Sequence, residues 1–414
     1  MQRREFIIGC SAGVALTAMN GVQSFAFAPE NNSNAPKEIV IFLFLRGGFD
    51  ALHFLAPVSD KNYQDARPKG LRIEENEGLA LKNTLGGLDF KLHPKAAPLK
   101  EIYDSGKLAF IHACGLTNGT RSHFDAMDLI ERGLVEKQGG AEGWMARYLQ
   151  QTNLGDAMIP AVASGWEMPL SLVGNNLSAS IGNVAEFDLK GDKRFAGILK
   201  HLYQGEGLLN KTAQQTLETI QYIQQQIPRK ANNKPADYHA EHGADYPMEW
   251  QIKGFSESLM NLARLIKMDL GVHLATVDFG GWDMHDNQNY LFPQKLDALS
   301  RALAAFYNDM STYHPRLTIV AMSEFGRRLK ANKSMGTDHG YGGVAMVMGG
   351  KVKGGKMYGQ WPGLANEELD NRVDLKVTTD YRYILAELLE KRLASTSLAT
   401  ILPGLEKYEA LNFL

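Results

Sequence analysis

Residues 317–350 read LTIVAMSEFGRRLKANKSMGTDHGYGGVAMVMGG, two apolar runs bracketing a loop crowded with ionisable side chains. The first run, 317–322, is short, β-branched at Thr318, Ile319 and Val320, and shows little alternation. That is the pattern of a strand buried on both faces of a parallel sheet. It ends in Ser323 and Glu324. The second run, 343–348, is again apolar, and Gly336-Thr337-Asp338-His339-Gly340 precedes it. In open α/β sheets ligands sit beyond the carboxyl ends of the strands, so Glu324 stands where a site residue is expected. Taken alone, the same residues also read as a helix N-cap and a turn.

Working outward, residues 38–45, EIVIFLFL, form a second buried run, followed at once by Arg46-Gly47-Gly48-Phe49-Asp50. A short helix over 96–105, ended by Gly106, leads into a third run, 107–114, KLAFIHAC. Thr120, Arg121, Ser122 and His123 then gather at the start of a helix that runs through Met127 and Ile130. The free amides of such a terminus bind anions and stabilise an attacking oxyanion, although a Thr or Ser N-cap explains the hydroxyls equally well. Residues 273–279, HLATVDF, are a fourth run, followed by Gly280-Gly281-Trp282-Asp283-Met284-His285. A carboxylate two residues from an imidazole in a loop after a buried strand suits Zn or Mn.

The remaining segments fill in the frame. A helix is expected over 143–151 and a strand within 158–173. Residues 205–270 are mostly helical and polar, with a break at 228–236; His239 and His242, just beyond it, read as surface histidines. A long amphipathic helix is expected over 293–313, with Pro293 in its first turn, and a last helix over 379–393. Strands alternating with helices imply an α/β fold: a doubly wound, mostly parallel sheet with helices on both faces. Its crevice would bring Asp50, Thr120, Ser122, Asp283, His285 and Glu324 to one edge, with Asp338 and His339 arriving by the next loop.

Composition bounds the function. The chain has 414 residues, 44% hydrophobic and 22% charged, with a formal net charge of -2, so it is an ordinary globular protein without the basic surface that nucleic acid requires. Arg3-Arg4 before an apolar stretch to about Val22 is the pattern of a twin-arginine export signal, with cleavage expected after Ala26. The stretch is too short and too polar for a membrane span, so no stable span is expected after cleavage. Residues 27–37 read as a linker and 38–414 as one domain with a helical insertion around 205–270. The twin-arginine translocase is thus an expected partner, and the periplasm or the exterior the expected location. Of the two cysteines, Cys10 leaves with the signal, so Cys114 has no internal partner.

At this point the residues resemble a family. Arg46-Gly47-Gly48-Phe49-Asp50, Ser122-His123-Phe124-Asp125, Gly281-Trp282-Asp283-Met284-His285, Ser323-Glu324-Phe325-Gly326-Arg327-Arg328 and Gly336-Thr337-Asp338-His339-Gly340 are similar to successive blocks of the bacterial domain of unknown function 1501. Tyr358-Gly359-Gln360-Trp361-Pro362-Gly363-Leu364 and Thr378-Thr379-Asp380-Tyr381-Arg382 extend the likeness over nearly the whole mature chain. That family is placed in the alkaline phosphatase and sulfatase superfamily, and its members commonly carry twin-arginine signals.

The resemblance implies a divalent metal, Zn or Mn, and hydrolysis of a phosphate or sulfate ester, either small or borne on a polymer. It makes Asp50 the first metal-binding aspartate, Asp283 and His285 an Asp/His pair, and His339 a final histidine. Ser122, then Thr120, is the implied nucleophile. The superfamily's late Asp-His dipeptide is replaced here by Glu324-Phe325. Phenylalanine cannot ligate a metal, so Glu324 and Asp338 complete the candidate ligands or a single ion suffices. Arg121, Arg327 and Arg328 are expected to clamp the anion, and His123 to orient it. Cys114 lacks the sulfatase context and reads as a small buried residue. The competing class is an exported, non-catalytic binding or assembly protein with a degenerate metal site.

Overall fold

A computed structural model describes residues 38–82, 85–137, 140–154, 157–189 and 193–414. The export signal and linker expected over 1–37 lie outside the described residues. Among the described residues twelve strands follow in chain order: β1 Ile39–Phe44, β2 Leu55–Pro57, β3 Leu79–Ala80, β4 Phe90–Leu92, β5 Leu108–Gly115, β6 Ala161–Ala163, β7 Ser178–Ser180, β8 Leu274–Asp278, β9 Leu317–Met322, β10 Gly343–Gly349, β11 Lys356–Tyr358 and β12 Thr379–Asp380. Nine of them make one sheet in the order β11-β5-β10-β9-β1-β8-β6-β7, with β12 also paired to β5; β2, β4 and β3 form a small second sheet.

The run that reads EIVIFLFL becomes the central strand because it is apolar on both faces. Ile39, Ile41 and Leu43 point into one core, beneath the helices Lys253–Lys267 and Gln288–Asp309. Val40, Phe42 and Phe44 point into the other, beneath Trp144–Gln150 and Tyr381–Lys391. Phe42 meets the edge of Trp144 there, with ring centroids 6.1 Å apart. Side chains of this size contribute about 1.5–3 kcal/mol each when fully buried, which is why one strand anchors two helical layers. The fold is therefore the doubly wound, mostly parallel α/β sheet that the sequence implies.

One pairing places the site. β9, β1, β8, β6 and β7 run parallel, whereas β10 is antiparallel to both neighbours, β9 and β5. Its amino end therefore lies at the carboxyl edge of the others. Asp338 and His339, which precede β10, meet the loops that follow β1, β8 and β9 for this reason. Two glycines let these loops touch: a Cβ on Gly47, at φ +120, would stand 2.6 Å from the Asp283 amide, and one on Gly336 2.2 Å from the His285 carbonyl carbon.

Several expected boundaries shift. The long helix begins at Gln288, so Pro293 is interior to it and not in its first turn. The early start is held from outside, because buried Gln288 bonds both Asp50 and Thr337. The strand expected within 158–173 is only Ala161–Ala163. The helical stretch resolves into Leu208–Gln226 and Lys253–Lys267, and the second buries Leu259, Leu262 and Ile266 in the main core. His239 and His242 are exposed, as expected. Among the described residues no helix is long and apolar enough to cross a membrane.

Candidate metal centre

The helix His123–Arg132 starts from Ser122, whose hydroxyl accepts the Asp125 amide as an N-cap. This cap sets the position of His123, the first helical residue. Asp283 and His285 arrive on the loop after β8, and His339 on the loop before β10. Their heads converge. His339 Nε2 lies 3.0 Å from His123 Nε2 and 3.0 Å from His285 Nε2. Asp283 Oδ1 is 3.0 Å from His285 Nε2 and 3.1 Å from His339 Nε2, while its Oδ2 is 3.4 Å from His123 Nε2. His123, Asp283 and His339 together form a group able to hold a metal ion.

The second nitrogen of each ring decides what the first can do. His123 Nδ1 lies 2.6 Å from Glu324 Oε1, His285 Nδ1 3.1 Å from Asp338 Oδ1, and His339 Nδ1 2.9 Å from the Arg121 carbonyl. Burial alone would raise the Glu324 carboxyl, but the bonds from His123, Ser323 and backbone amides outweigh it and hold it low. The His285 bond, with that of Asn332, likewise lowers Asp338. All three partners are therefore acceptors, and each Nδ1 carries the hydrogen. The three Nε2 atoms are left at the front, that of His339 within reach of the other two and all three beside the Asp283 carboxylate. One proton relieves one of the two nitrogen–nitrogen contacts; a cation relieves both. Ligands about 2.0–2.1 Å from a tetrahedral ion sit roughly 3.3 Å apart, and the spacings among His123, Asp283 and His339, 3.0, 3.1 and 3.4 Å, match that. A metal-ligating imidazole is usually anchored through its other nitrogen to an acceptor of this kind.

Arg327 fixes the carboxylate. Its guanidinium is buried and gives Nη2 to Asp283 Oδ1 at 2.5 Å, with further bonds to the carbonyls of Gly47, Gly48 and Thr337. Burial would raise the Asp283 pKa, but this contact, with help from His339 and His123, brings it down to about 2.

Several expected roles change. Asp50 sits at the carboxyl end of β1, as expected, but does not join the cluster. Buried Arg67 grips both its oxygens at 2.8 and 2.9 Å, Gln288 bonds it at 2.6 Å, and it also caps the amides of Leu52 and His53. A cationic side chain thus occupies the place expected of a metal. Glu324 and Asp338 stand one bond behind the front atoms. His123, expected to orient substrate, stands in front instead. Arg121 and Arg327 are not free anion clamps: Arg121 pairs with Asp370 and Asp374, and the donors of Arg327 are spent within the protein. Arg328 is exposed and close enough to lower Asp338 by its charge. Ser122 is exposed at the helix start, and Thr120 Oγ1 accepts its amide at 3.3 Å. Cys114 is buried, and burial pushes its thiol pKa up.

Fold and site together define an α/β protein with three histidines and one aspartate clustered at the carboxyl edge of its sheet, of which His123, Asp283 and His339 could hold a metal ion. The chain belongs to the family described as a protein of unknown function, DUF1501, which matches residues 112–394. No curated protein sequence matches it. Solved structures similar to it include a protein in the alkaline phosphatase superfamily from Vibrio parahaemolyticus, with TM-score 0.35, 11% identity, and coverage of 86% of this chain and 71% of that one. The alkaline phosphatase of the Antarctic bacterium TAB5 matches with TM-score 0.32 and 9% identity, over 87% of this chain and 100% of that one. The C-terminal periplasmic domain of EcEptC from Escherichia coli, solved in complex with Zn, matches with TM-score 0.34 and 7% identity, over 79% and 77%.

Proposed function

We propose that this protein is a metal-dependent hydrolase of anionic esters, phosphate before sulfate, with one divalent ion, Zn or Mn, held by His123, Asp283, His285 and His339. The observation that carries the reading is that all three histidines have Nδ1 committed to an acceptor while their Nε2 atoms converge. When bound, the ion supplies Lewis acidity that neutralises ester charge and lowers the pKa of an attacking hydroxyl. Ser122 is the first choice for that hydroxyl and Thr120 the second. The Ser122 cap to Asp125 is long, at 3.4 Å, so its Oγ is weakly held. The first-turn amides of its helix favour negative charge beside it. Arg328 is the exposed arginine of this edge and the candidate to hold the ester's oxygens. Glu324 and Asp338 keep His123 and His285 in the tautomers that point Nε2 forward.

A second reading, a non-catalytic exported binding or assembly protein that keeps the fold with a degenerate metal site, is favoured by the Asp50–Arg67 pair and by the commitment of Glu324 and Asp338 to histidines. Export through the twin-arginine route to the periplasm or beyond remains part of the proposal and rests on Arg3 and Arg4. Metal analysis of the purified mature protein, combined with a panel of phosphate monoesters, phosphodiesters and sulfate esters, tests these readings. Bound metal with turnover supports the hydrolase. Bound metal without turnover moves the assignment to the second reading, and absence of metal after loading overturns the hydrolase.

A further inference from the structure

A cleft of about 880 Å³ opens on the same carboxyl edge of the sheet, at the β6 and β7 end. Its floor follows the carboxyl ends of β6 and β7, and its wall is the loop 235–248 with the first turns of the helix Lys253–Lys267. The volume lies within the roughly 300–1,000 Å³ typical of small-molecule sites. Trp166 lines it and is 56% exposed. Its indole lies directly on Gly182, where a Cβ would stand 2.4 Å from the ring carbon Cδ2. The glycine thus lets a flat apolar ring rest on backbone beside open space.

The wall is built to stay in place. Asp309, fully buried, accepts from the hydroxyls of Tyr238 and Tyr246 at 2.7 and 2.9 Å, from the Glu241 amide at 2.7 Å and from Lys267 at 2.6 Å. Both tyrosines line the cleft. Within it, half-buried Arg264 and exposed Asp245 have no side-chain hydrogen bond or ion pair among the described residues. Both charged groups are therefore available to a ligand that enters the cleft.

We propose that this cleft binds a sugar chain, the carrier of the ester presented to the metal centre; only that last clause rests on the hydrolytic reading. A sugar ring offers an apolar face to an indole and hydroxyls at its edges to donors and acceptors of both signs, which Trp166, Arg264 and Asp245 supply. The mixed charge of the lining does not suit nucleic acid, which needs a basic stripe. The cleft and the histidine cluster lie at the same carboxyl edge of one sheet, where β6, with β7 beyond it, is the neighbour of β8.

The test is direct binding of the purified mature protein to an array of neutral, carboxylated, sulfated and phosphorylated oligosaccharides, with a peptide array beside it. Metal content is measured on the same sample and reports on the metal centre separately. Retention of at least one oligosaccharide, weakened about tenfold in both Trp166→Ala and Arg264→Gln, is expected from loss of one stacking or charged contact. Thermal midpoints show which variants are folded, and either folded variant suffices to decide. No retained oligosaccharide, retention unchanged in a folded variant, or retention of peptides in the same cleft overturns the proposal.

Discussion

Glu324 Oε1 accepts a 2.6 Å hydrogen bond from His123 Nδ1, joining residues 201 apart in sequence. The carboxylate follows β9 and the imidazole opens a helix after β5, so sheet order alone brings them together. The same oxygen takes the Gly47 amide at 2.8 Å, which ties the loop after β1 to the pair. Glu324→Gln keeps the volume but weakens the acceptor. We expect metal affinity to fall about 10–100-fold, the usual effect of losing such an outer partner. Competition with a chromophoric chelator measures it; an unchanged affinity would remove Glu324 from the centre.

The buried Asp50–Arg67 pair is expected to be structural. Arg67→Met leaves the Asp50 carboxylate buried without its cation, which costs about 3–5 kcal/mol. Adding Asp50→Leu removes the stranded charge and should recover much of that loss. Urea denaturation of the two variants reads the difference. If Arg67→Met is as stable as the parent, the pair does not hold the β1 loop.

Stability should fall as pH falls from about 6.5 towards 4. Burial pushes His53 down to about 3, and His93 and His112 each to about 4. Their unfolded values lie near 6.5, so in this window the unfolded chain binds more protons than the folded one. Stability therefore rises with pH there, by about 1.4 kcal/mol per pH unit for each fully buried imidazole. His53→Phe, which keeps the stack on Phe292, should flatten part of the slope. A pH-independent unfolding midpoint between 4.5 and 6.5 would contradict the assignment.

Arg3→Lys combined with Arg4→Lys is expected to keep the protein in the cytoplasm, because the twin-arginine signal requires the pair. Cell fractionation measures this. Export that survives the double change, or loss of the translocase, would overturn the expected route.

Much of this arrangement is legible in the chain. The buried runs of β1, β5, β8, β9 and β10 carry their own signal because strands covered on both faces are continuously apolar. The polar residues that follow them mark the carboxyl edge, and Asp283, His285 and His339 meet there. Direction is harder to read. Nothing local shows that β10 runs against its neighbours, yet that reversal is what delivers His339. The exchange of places between His123 and Asp50 is also illegible. His123 reads as a neighbour of the serine cap until the helix axis is known, and Asp50 reads as a ligand until Arg67, from an irregular segment, closes on it. Arg327 has the composition of an anion clamp, but its partners are mostly backbone carbonyls, which leave no trace in a sequence. The one available cue to His123 was its place beside an N-cap, which fixes a side chain at the mouth of the sheet edge.

The most direct measurement of the central claim is the metal content of the purified mature protein, by elemental mass spectrometry, beside that of His123→Ala, His285→Ala and His339→Ala. A single equivalent of Zn or Mn is expected in the parent, lost or strongly reduced in each variant while far-ultraviolet circular dichroism stays the same. Full metal content in all three folded variants, or no metal in the parent after loading with either ion, would contradict it.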